Sequence, residues 1–276
     1  MKNGIRMRLQ PVPPGALIPL GDEDARMPDG EIPPKRELRA ELEKLTVRMD
    51  ALQRALHAEG ARALLLVLQG RDASGKDGTL RKVFGPLDPL GVTATSFKVP
   101  SELELRHDFL WRVHAAAQAR GAIGIVNRSH YEDVLVVRVR RLAPESVWRP
   151  RYEQINLFER ILVENGTVIL KFMLHISHEE QRERLLARLD DPEKYWKFNA
   201  GDLKERELWE QYTEAYREML ERTSTAVAPW YVVPADEKRV RDVLVARTVT
   251  ESLGRMDPRY PGPPPELEAL RKALAK

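Results

Sequence analysis

Gly70-Arg71-Asp72-Ala73-Ser74-Gly75-Lys76-Asp77-Gly78-Thr79 follows the apolar run Ala63-Leu64-Leu65-Leu66-Val67-Leu68 and precedes a helix-compatible stretch. Strand, glycine loop and helix in that order are the setting of a phosphate-binding P-loop, and the spacing matches G-x-x-x-x-G-K. Gly70 and Gly75 let the backbone turn so that successive N–H groups point into one concavity, to which the next helix adds its positive N-terminal end. Gly70, Ala73, Ser74, Gly75, Asp77 and Gly78 are therefore expected around a bound nucleotide or phosphate, and Lys76 supplies a mobile charge for a phosphoryl oxygen. The usual pattern has Ser or Thr after the lysine to hold Mg2+. Here Asp77 stands in that place, and Asp72 lies inside the loop. Two carboxylates in an anion-binding loop need a cation beside them, so a divalent metal is expected: Mg2+, with Mn2+ as its alternative. A chance glycine-rich turn is the competing reading, disfavoured by the flanking strand and helix.

The 276 residues suffice for one large α/β domain with additions. With 42% hydrophobic and 32% charged residues the chain has a globular composition, and no apolar stretch is long enough to span a bilayer. The N-terminus lacks an apolar leader, and the chain has no cysteine, which excludes disulfides, thiolate metal sites and cysteine nucleophiles. A cytoplasmic setting fits both features. A formal net charge of +3 is too balanced to indicate nucleic acid as a partner.

Residues 1–34 are rich in proline and should form an extended arm; 35–254 form the main domain; 255–276 form a tail with a proline cluster and a short amphipathic helix. Leu38, Leu42, Leu45, Met49, Leu52 and Leu56 recur at helical spacing. Further strands are expected at 92–97, 122–126, 167–174 and 230–233, with helices at 102–119, 151–164, 178–189, from about 203 to 221, and 237–253. Strands alternating with helices imply a parallel sheet covered on both faces.

The third strand runs into Asn127-Arg128-Ser129-His130-Tyr131-Glu132-Asp133. Ligands gather at the carboxyl ends of parallel strands, so this cluster should lie beside the P-loop, with Asp133 as the nearest aspartate for a metal. The plainer reading is a capped turn starting a helix. Between two helices, at about 188–205, Arg188, Lys194 and Lys197 occupy the place where nucleoside-monophosphate kinases carry a lid that closes over phosphoryl groups. A solvated loop packed through its aromatics is the alternative there. His175 and His178 make poor paired metal ligands.

Together these motifs, with Lys98 and Pro100 after the second strand and His107-Asp108-Phe109-Leu110-Trp111-Arg112, resemble the polyphosphate kinase 2 family over about residues 35–253. The resemblance implies a thymidylate-kinase-like, three-layer P-loop NTPase-like α/β fold with a helical lid, assembled as a homo-oligomer, dimer or tetramer. It also implies Mg2+-assisted transfer of the terminal phosphoryl group of inorganic polyphosphate to a purine nucleotide. Many members carry Asp-Arg-Ser-Trp-Tyr where this chain has Asn127-Arg128-Ser129-His130-Tyr131, which resembles the subgroup acting on both AMP and ADP. With Asn127 a poor metal ligand, Asp72 and Asp133 become the metal candidates. On this reading Lys76 meets the transferring phosphate and Arg128 grips nucleotide phosphate with Asn127 nearby. Arg188, Lys194 and Lys197 act from the lid, and Lys76, Arg81, Lys82 and Lys98 line a polyphosphate track. An ATP-dependent nucleoside monophosphate kinase and a non-catalytic nucleotide-binding switch are the competing functions.

Overall fold

Period-two alternation of apolar side chains decides the architecture. In the computed structural model, which describes residues 7–28 and 30–275, β1 (Ala63–Gly70), β2 (Val92–Thr95), β3 (Ile123–Asn127), β4 (Thr167–His175) and β5 (Trp230–Pro234) form one parallel sheet in the order β2-β3-β1-β4-β5. The central strand β1 is buried along its whole length, which is why it reads as an unbroken apolar run. Leu64, Leu66 and Leu68 enter one core with Ile123, Ile125, Leu170 and Phe172. Leu65 and Val67 enter the opposite core with Val126, Ile169, Met173 and Trp230.

The helices, in chain order, are α1 (Lys35–Glu59), α2 (Lys76–Thr79), α3 (Trp111–Ala115), α4 (Val136–Val139), α5 (Glu145–Trp148), α6 (Arg151–Glu164), α7 (His178–Leu189), α8 (Gly201–Glu207), α9 (Trp209–Thr223), α10 (Lys238–Met256) and α11 (Leu267–Leu274). α1 and α10 bury Leu38, Met49, Leu56, Val243, Val249 and Leu253 on the first face. α6 and α9 bury Ile155, Phe158, Ala215 and Met219 on the second. The result is the expected three-layer parallel α/β fold.

Several boundaries differ from those expected. Residues 102–119 hold only a 3-10 turn (Glu104–Arg106) and the short α3. Ser101 and Glu104 cap each other, and the Asp108 carboxylate accepts the Leu110 amide, so the chain stops and restarts inside that stretch. The second strand ends at Thr95. The helix after the P-loop makes one α-turn and then widens into a π-turn, Leu80–Phe84. The helix expected to about Glu221 is divided at Leu208 into α8 and α9.

From Met7 the N-terminal segment carries a 3-10 turn at Asp22–Ala25 and lies along the sheet edge at β5: the Val12 amide donates to the Trp230 carbonyl (2.8 Å), and the Ser224 hydroxyl donates to the Val12 carbonyl (2.6 Å). Such cover protects an edge strand from pairing with another chain. The first six residues and Asp29 of the arm, and Lys276 of the tail, lie outside the described residues.

Beneath the second face sits a fully buried polar cluster. Lys171 of β4 donates to Glu159 of α6 (2.5 Å), to the Tyr131 hydroxyl (2.9 Å) and to the Thr223 carbonyl (2.7 Å), while Tyr131 donates to Glu159 (2.7 Å). Burial favours a neutral Glu159, but the Lys171 charge outweighs it and holds the carboxyl below its ordinary value. Removing one partner strands the other charge in the core. Glu159→Ala should therefore lower stability by about 3–5 kcal/mol, and Glu159→Leu combined with Lys171→Met should restore most of it. Denaturant unfolding measures both; equal losses in the single and double variants count against the ion pair.

His175, at the end of β4, is paired through Nε2 with the Gly21 carbonyl (2.7 Å), while its Nδ1 is buried without a partner. The neutral Nε2–H tautomer is the one that donates this bond. Burial holds the imidazole below its ordinary value of 6.5, with the Gly21 bond opposing. Above 6.5 both folded and unfolded states are neutral. Below it the unfolded state takes up a proton first, so stability falls with pH from about 6.5 towards the lower folded value, by at most about 1.4 kcal/mol per pH unit. His175→Gln keeps a donor and should flatten that part of the pH–stability curve; superimposable curves for the two proteins would exclude His175 as the titrating group.

Candidate active site

β1 delivers the glycine loop at the carboxyl end of the sheet. Gly70 has φ +149°, and a Cβ there would lie 2.6 Å from the Leu174 carbonyl of β4. Gly75 has φ +102° and packs on Arg241 of α10, whose guanidinium would stand 1.8 Å from an added Cβ. Gly70 thus excludes a side chain on steric grounds as well as by backbone conformation, and at Gly75 the backbone conformation strains any other residue, which would also have to displace the Arg241 guanidinium. Lys76 begins α2 and curls back, its ammonium donating to the carbonyls of Gly70 (2.5 Å) and Arg71 (3.1 Å). Burial holds Lys76 below the ordinary lysine value, with the Asp72 charge opposing.

The loop carbonyls that face outward are gripped from α7 and α10. Gln181 donates to Asp72 O (2.9 Å), Arg184 to Ala73 O (3.0 Å) and Ser74 O (3.1 Å), and Arg241 to Ser74 O (3.3 Å). Arg71 turns away from the loop: its guanidinium lies 3.7 Å from the Trp209 ring centroid, bonds Thr213 (2.5 Å), and is pushed down to about 10 by burial. It ties α9 to the loop.

β3 brings the second group of residues. Arg128 takes a left-handed backbone (φ +63°), a conformation that costs of order 1 kcal/mol in a non-glycine residue. Its guanidinium meets Asp72 at 2.7 Å. Burial works against its charge, but Asp72 and then Glu132 outweigh it and hold the guanidinium above its ordinary value. Asn127 donates to Asp77 (2.8 Å), drawing the strand end onto the residue that follows the loop lysine. Ser129 caps the 3-10 turn His130–Asp133 through the Tyr131 amide.

That turn separates two adjacent acids. Glu132 faces the loop, accepts from Gln69 (3.1 Å) and is raised above its ordinary value by burial. Asp133 points the other way, pairs with Arg151 (2.9 Å), and lines neither cavity at the loop. With about three residues per turn, consecutive side chains diverge by about 120°, so a turn presenting Glu132 to the loop cannot also present Asp133. The second acid that the structure places beside the loop is thus Glu132, while Asp133, expected there as a metal ligand, is turned towards Arg151.

Two cavities meet at Asp72, Arg128 and Glu205. The smaller, about 210 Å³, is bounded by Arg71, Lys76, Glu132, Trp209, Tyr212 and Tyr216. The wider, about 720 Å³, lies under the 188–205 segment and brings Lys98, Arg140, Arg188 and Lys197 together with Asp77, Asp202 and Glu205. Arg188 donates to the Lys197 carbonyl (3.1 Å) and pairs with Asp202 (3.4 Å). Lys194 lines neither of these cavities and pairs locally with Asp191. Arg81 and Lys82 are exposed on the π-turn after the loop, outside both cavities.

Among the described residues no three His, Asp or Glu side chains form a ready metal cage. A hard cation held by one or two carboxylates and completed by phosphate oxygens and water suits Mg2+. Asp72 and Asp77, both on the wide cavity, fit that role. Glu132 belongs to the cluster expected beside the loop but was given no role there, and Arg140, Gln181, Arg184, Trp209, Tyr212 and Tyr216 were not expected at the site. The aromatic stripe at i, i+3 and i+7 on α9 is periodic in the sequence, but reads there as an ordinary core face.

The family model for polyphosphate kinase 2 matches residues 33–261. An AMP/ADP-polyphosphate phosphotransferase from Meiothermus ruber is 53% identical over 227 residues, covering 81% of this chain and 85% of that protein. An ADP-polyphosphate phosphotransferase from Rhodopseudomonas palustris is 44% identical over 245 residues, covering 83% and 85%. The crystal structure of polyphosphate kinase 2 from Arthrobacter aurescens TC1 superposes with a TM-score of 0.87 at 42% identity, covering 91% of this chain and 90% of that one. With its loop, its strand-end cluster and its sheet order in the same framework, the chain belongs to the polyphosphate kinase 2 family.

Proposed function

We propose that this protein transfers the terminal phosphoryl group of inorganic polyphosphate to AMP and ADP. The observation that carries the reading is the seam between the two cavities, where Asp72 meets Arg128 and beside which Lys76 lines the smaller cavity. A phosphoryl group passing in line between two anionic ligands needs positioning and charge neutralisation more than covalent help. Family membership and the names of the similar proteins support polyphosphate as the donor.

Nucleotide enters the wide cavity, where Arg128, Arg188 and Lys197 meet its phosphates and the exposed Trp196 offers a ring face. Polyphosphate reaches Lys76 past Arg81 and Lys82, with Lys98 at the cavity rim. The loop amides and Lys76 hold the moving group, and the acceptor oxygen, already ionised, needs no strong base. Asp72 and Asp77 are the residues that would hold Mg2+, which when bound would supply charge neutralisation for the phosphates. Arg188, from the end of α7, meets the charge that develops during transfer. The same reading includes action in the cytoplasm and assembly as a homo-oligomer; no helix among the described residues is long and apolar enough to cross a membrane.

Protein freed of bound nucleotide and given AMP, Mg2+ and long-chain polyphosphate should form ADP and then ATP, as read by chromatography. Formation of ADP from AMP only when ATP is supplied would instead establish an ATP-dependent kinase, and binding without product would establish a switch. In the polyphosphate reaction Lys76→Ala should cost on the order of 10²-fold in rate or more, about 3 kcal/mol of transition-state stabilisation, while leaving the fold intact by circular dichroism. Near-normal turnover in the folded variant would remove Lys76 from the site.

A further inference from the structure

Gln181 of α7 is almost completely buried, and both ends of its amide are used. Its oxygen accepts from the Arg206 guanidinium of α8 (2.7 Å), and its nitrogen donates to the backbone carbonyl of Asp72 (2.9 Å). Arg206 also donates to the carbonyl of His178 in the first turn of α7 (3.0 Å), which fixes the guanidinium over that turn. An amide has one acceptor end and one donor end. Turned over, it would set its NH2 against the guanidinium N–H groups and its carbonyl against the Asp72 carbonyl, so the cation of α8 dictates which way the amide points.

We propose that Arg206 and Gln181 form a positioning relay from the lid helix α8 to the P-loop, fixing the Asp72 peptide and thereby the carboxylate at the seam of the two cavities. α8 closes the same segment from its other end, where Asp202 pairs with Arg188. Asp72 itself meets Arg128 at 2.7 Å and lines both cavities. A shift of α8 that withdraws Arg206 releases the amide, and the Asp72 carbonyl loses its donor. Neither residue touches substrate in this scheme. Both act through the orientation of Asp72, and the effect on turnover rests on the reaction proposed above.

Hydrogen–deuterium exchange on the free protein tests the relay without reference to any reaction. Arg206→Ala and Gln181→Ala should each raise deuterium uptake across residues 70–78, and the double variant should raise it no further. Gln181→Glu keeps a partner for Arg206 but has no N–H to offer, so it should match Gln181→Ala in the loop. Uptake raised by Arg206→Ala only across 201–208, or effects that add in the double variant, would overturn the relay. In the polyphosphate assay each single variant should lose about tenfold in kcat with the nucleotide KM held within about twofold, again without additivity. A raised KM at unchanged kcat would place Gln181 and Arg206 in nucleotide binding instead. Should the wild type form no product from polyphosphate, the reaction falls while the exchange measurement still decides the relay.

Discussion

A loop that turns its amides inward to receive a phosphate must turn carbonyls outward, and a buried carbonyl needs a donor. Much of this site is the answer to that constraint. Gln181, Arg184 and Arg241 satisfy the carbonyls of Asp72, Ala73 and Ser74, and the Lys76 ammonium covers those of Gly70 and Arg71. Arg184 also donates to the carbonyls of Ala235 (2.7 Å) and Asp236 (2.8 Å) after β5 and to the Glu180 carboxylate (2.7 Å). Its fork therefore joins the loop after β1 to the chain after β5, across β4. A lysine in its place would present a compact point charge without that planar fork. The same geometry adds to the backbone conformation at Gly75, since a side chain there would have to displace the guanidinium that supports Ser74.

The charges at the seam are arranged so that no single group has to carry the ligand. Asp72 sits among Lys76, Arg128 and Glu132, with Arg128 held in place by the Asp72 carboxylate and Lys76 by the loop carbonyls. In the smaller cavity Trp209, Tyr212 and Tyr216 reduce access to water, which strengthens each remaining electrostatic interaction. Burial pushes the Tyr212 hydroxyl up to about 12, so it stays protonated and can donate. Arg71, stacked on Trp209, spends its charge on holding α9 against the loop.

The buried cluster of Lys171, Glu159 and Tyr131 lies one residue from this chemistry in the chain. Tyr131 is separated from Glu132 by a single peptide bond and from Arg128 by Ser129 and His130. Its hydroxyl is fixed by Lys171 and Glu159 in the core, and its ring packs edge-on against Trp230 (4.8 Å between centroids). An apolar replacement would fill the same volume without fixing the rotation of the turn about that anchor. Since the turn selects Glu132 over Asp133 for the loop, an ion pair costly to bury has a directional consequence at the surface.

What was legible in the sequence follows from how local each signal is. The apolar run before Gly70 and the G-x-x-x-x-G-K spacing are contiguous, and they locate β1, the loop and Lys76. The alternating strands and helices imply the parallel sheet, and Leu38 to Leu56 show their helical stripe directly. Residues 102–119 failed as one helix because Ser101 and Asp108 bond to nearby amides, a competition that apolar periodicity does not register. The choice between Glu132 and Asp133 depends on the rotation of a short turn about its own axis, which is set by tertiary anchors such as Tyr131 and leaves no local signal in the sequence. Gln181 and Arg184 fall in the helix expected at 178–189, where nothing in their type or spacing marks them for the loop. Their role arises only because α7 crosses the end of β1, and their partners are backbone carbonyls, which have no side-chain identity to leave in the sequence. Side chains that serve the substrate can be recognised by type and spacing, whereas those that serve the loop's backbone become visible only once the chain is folded.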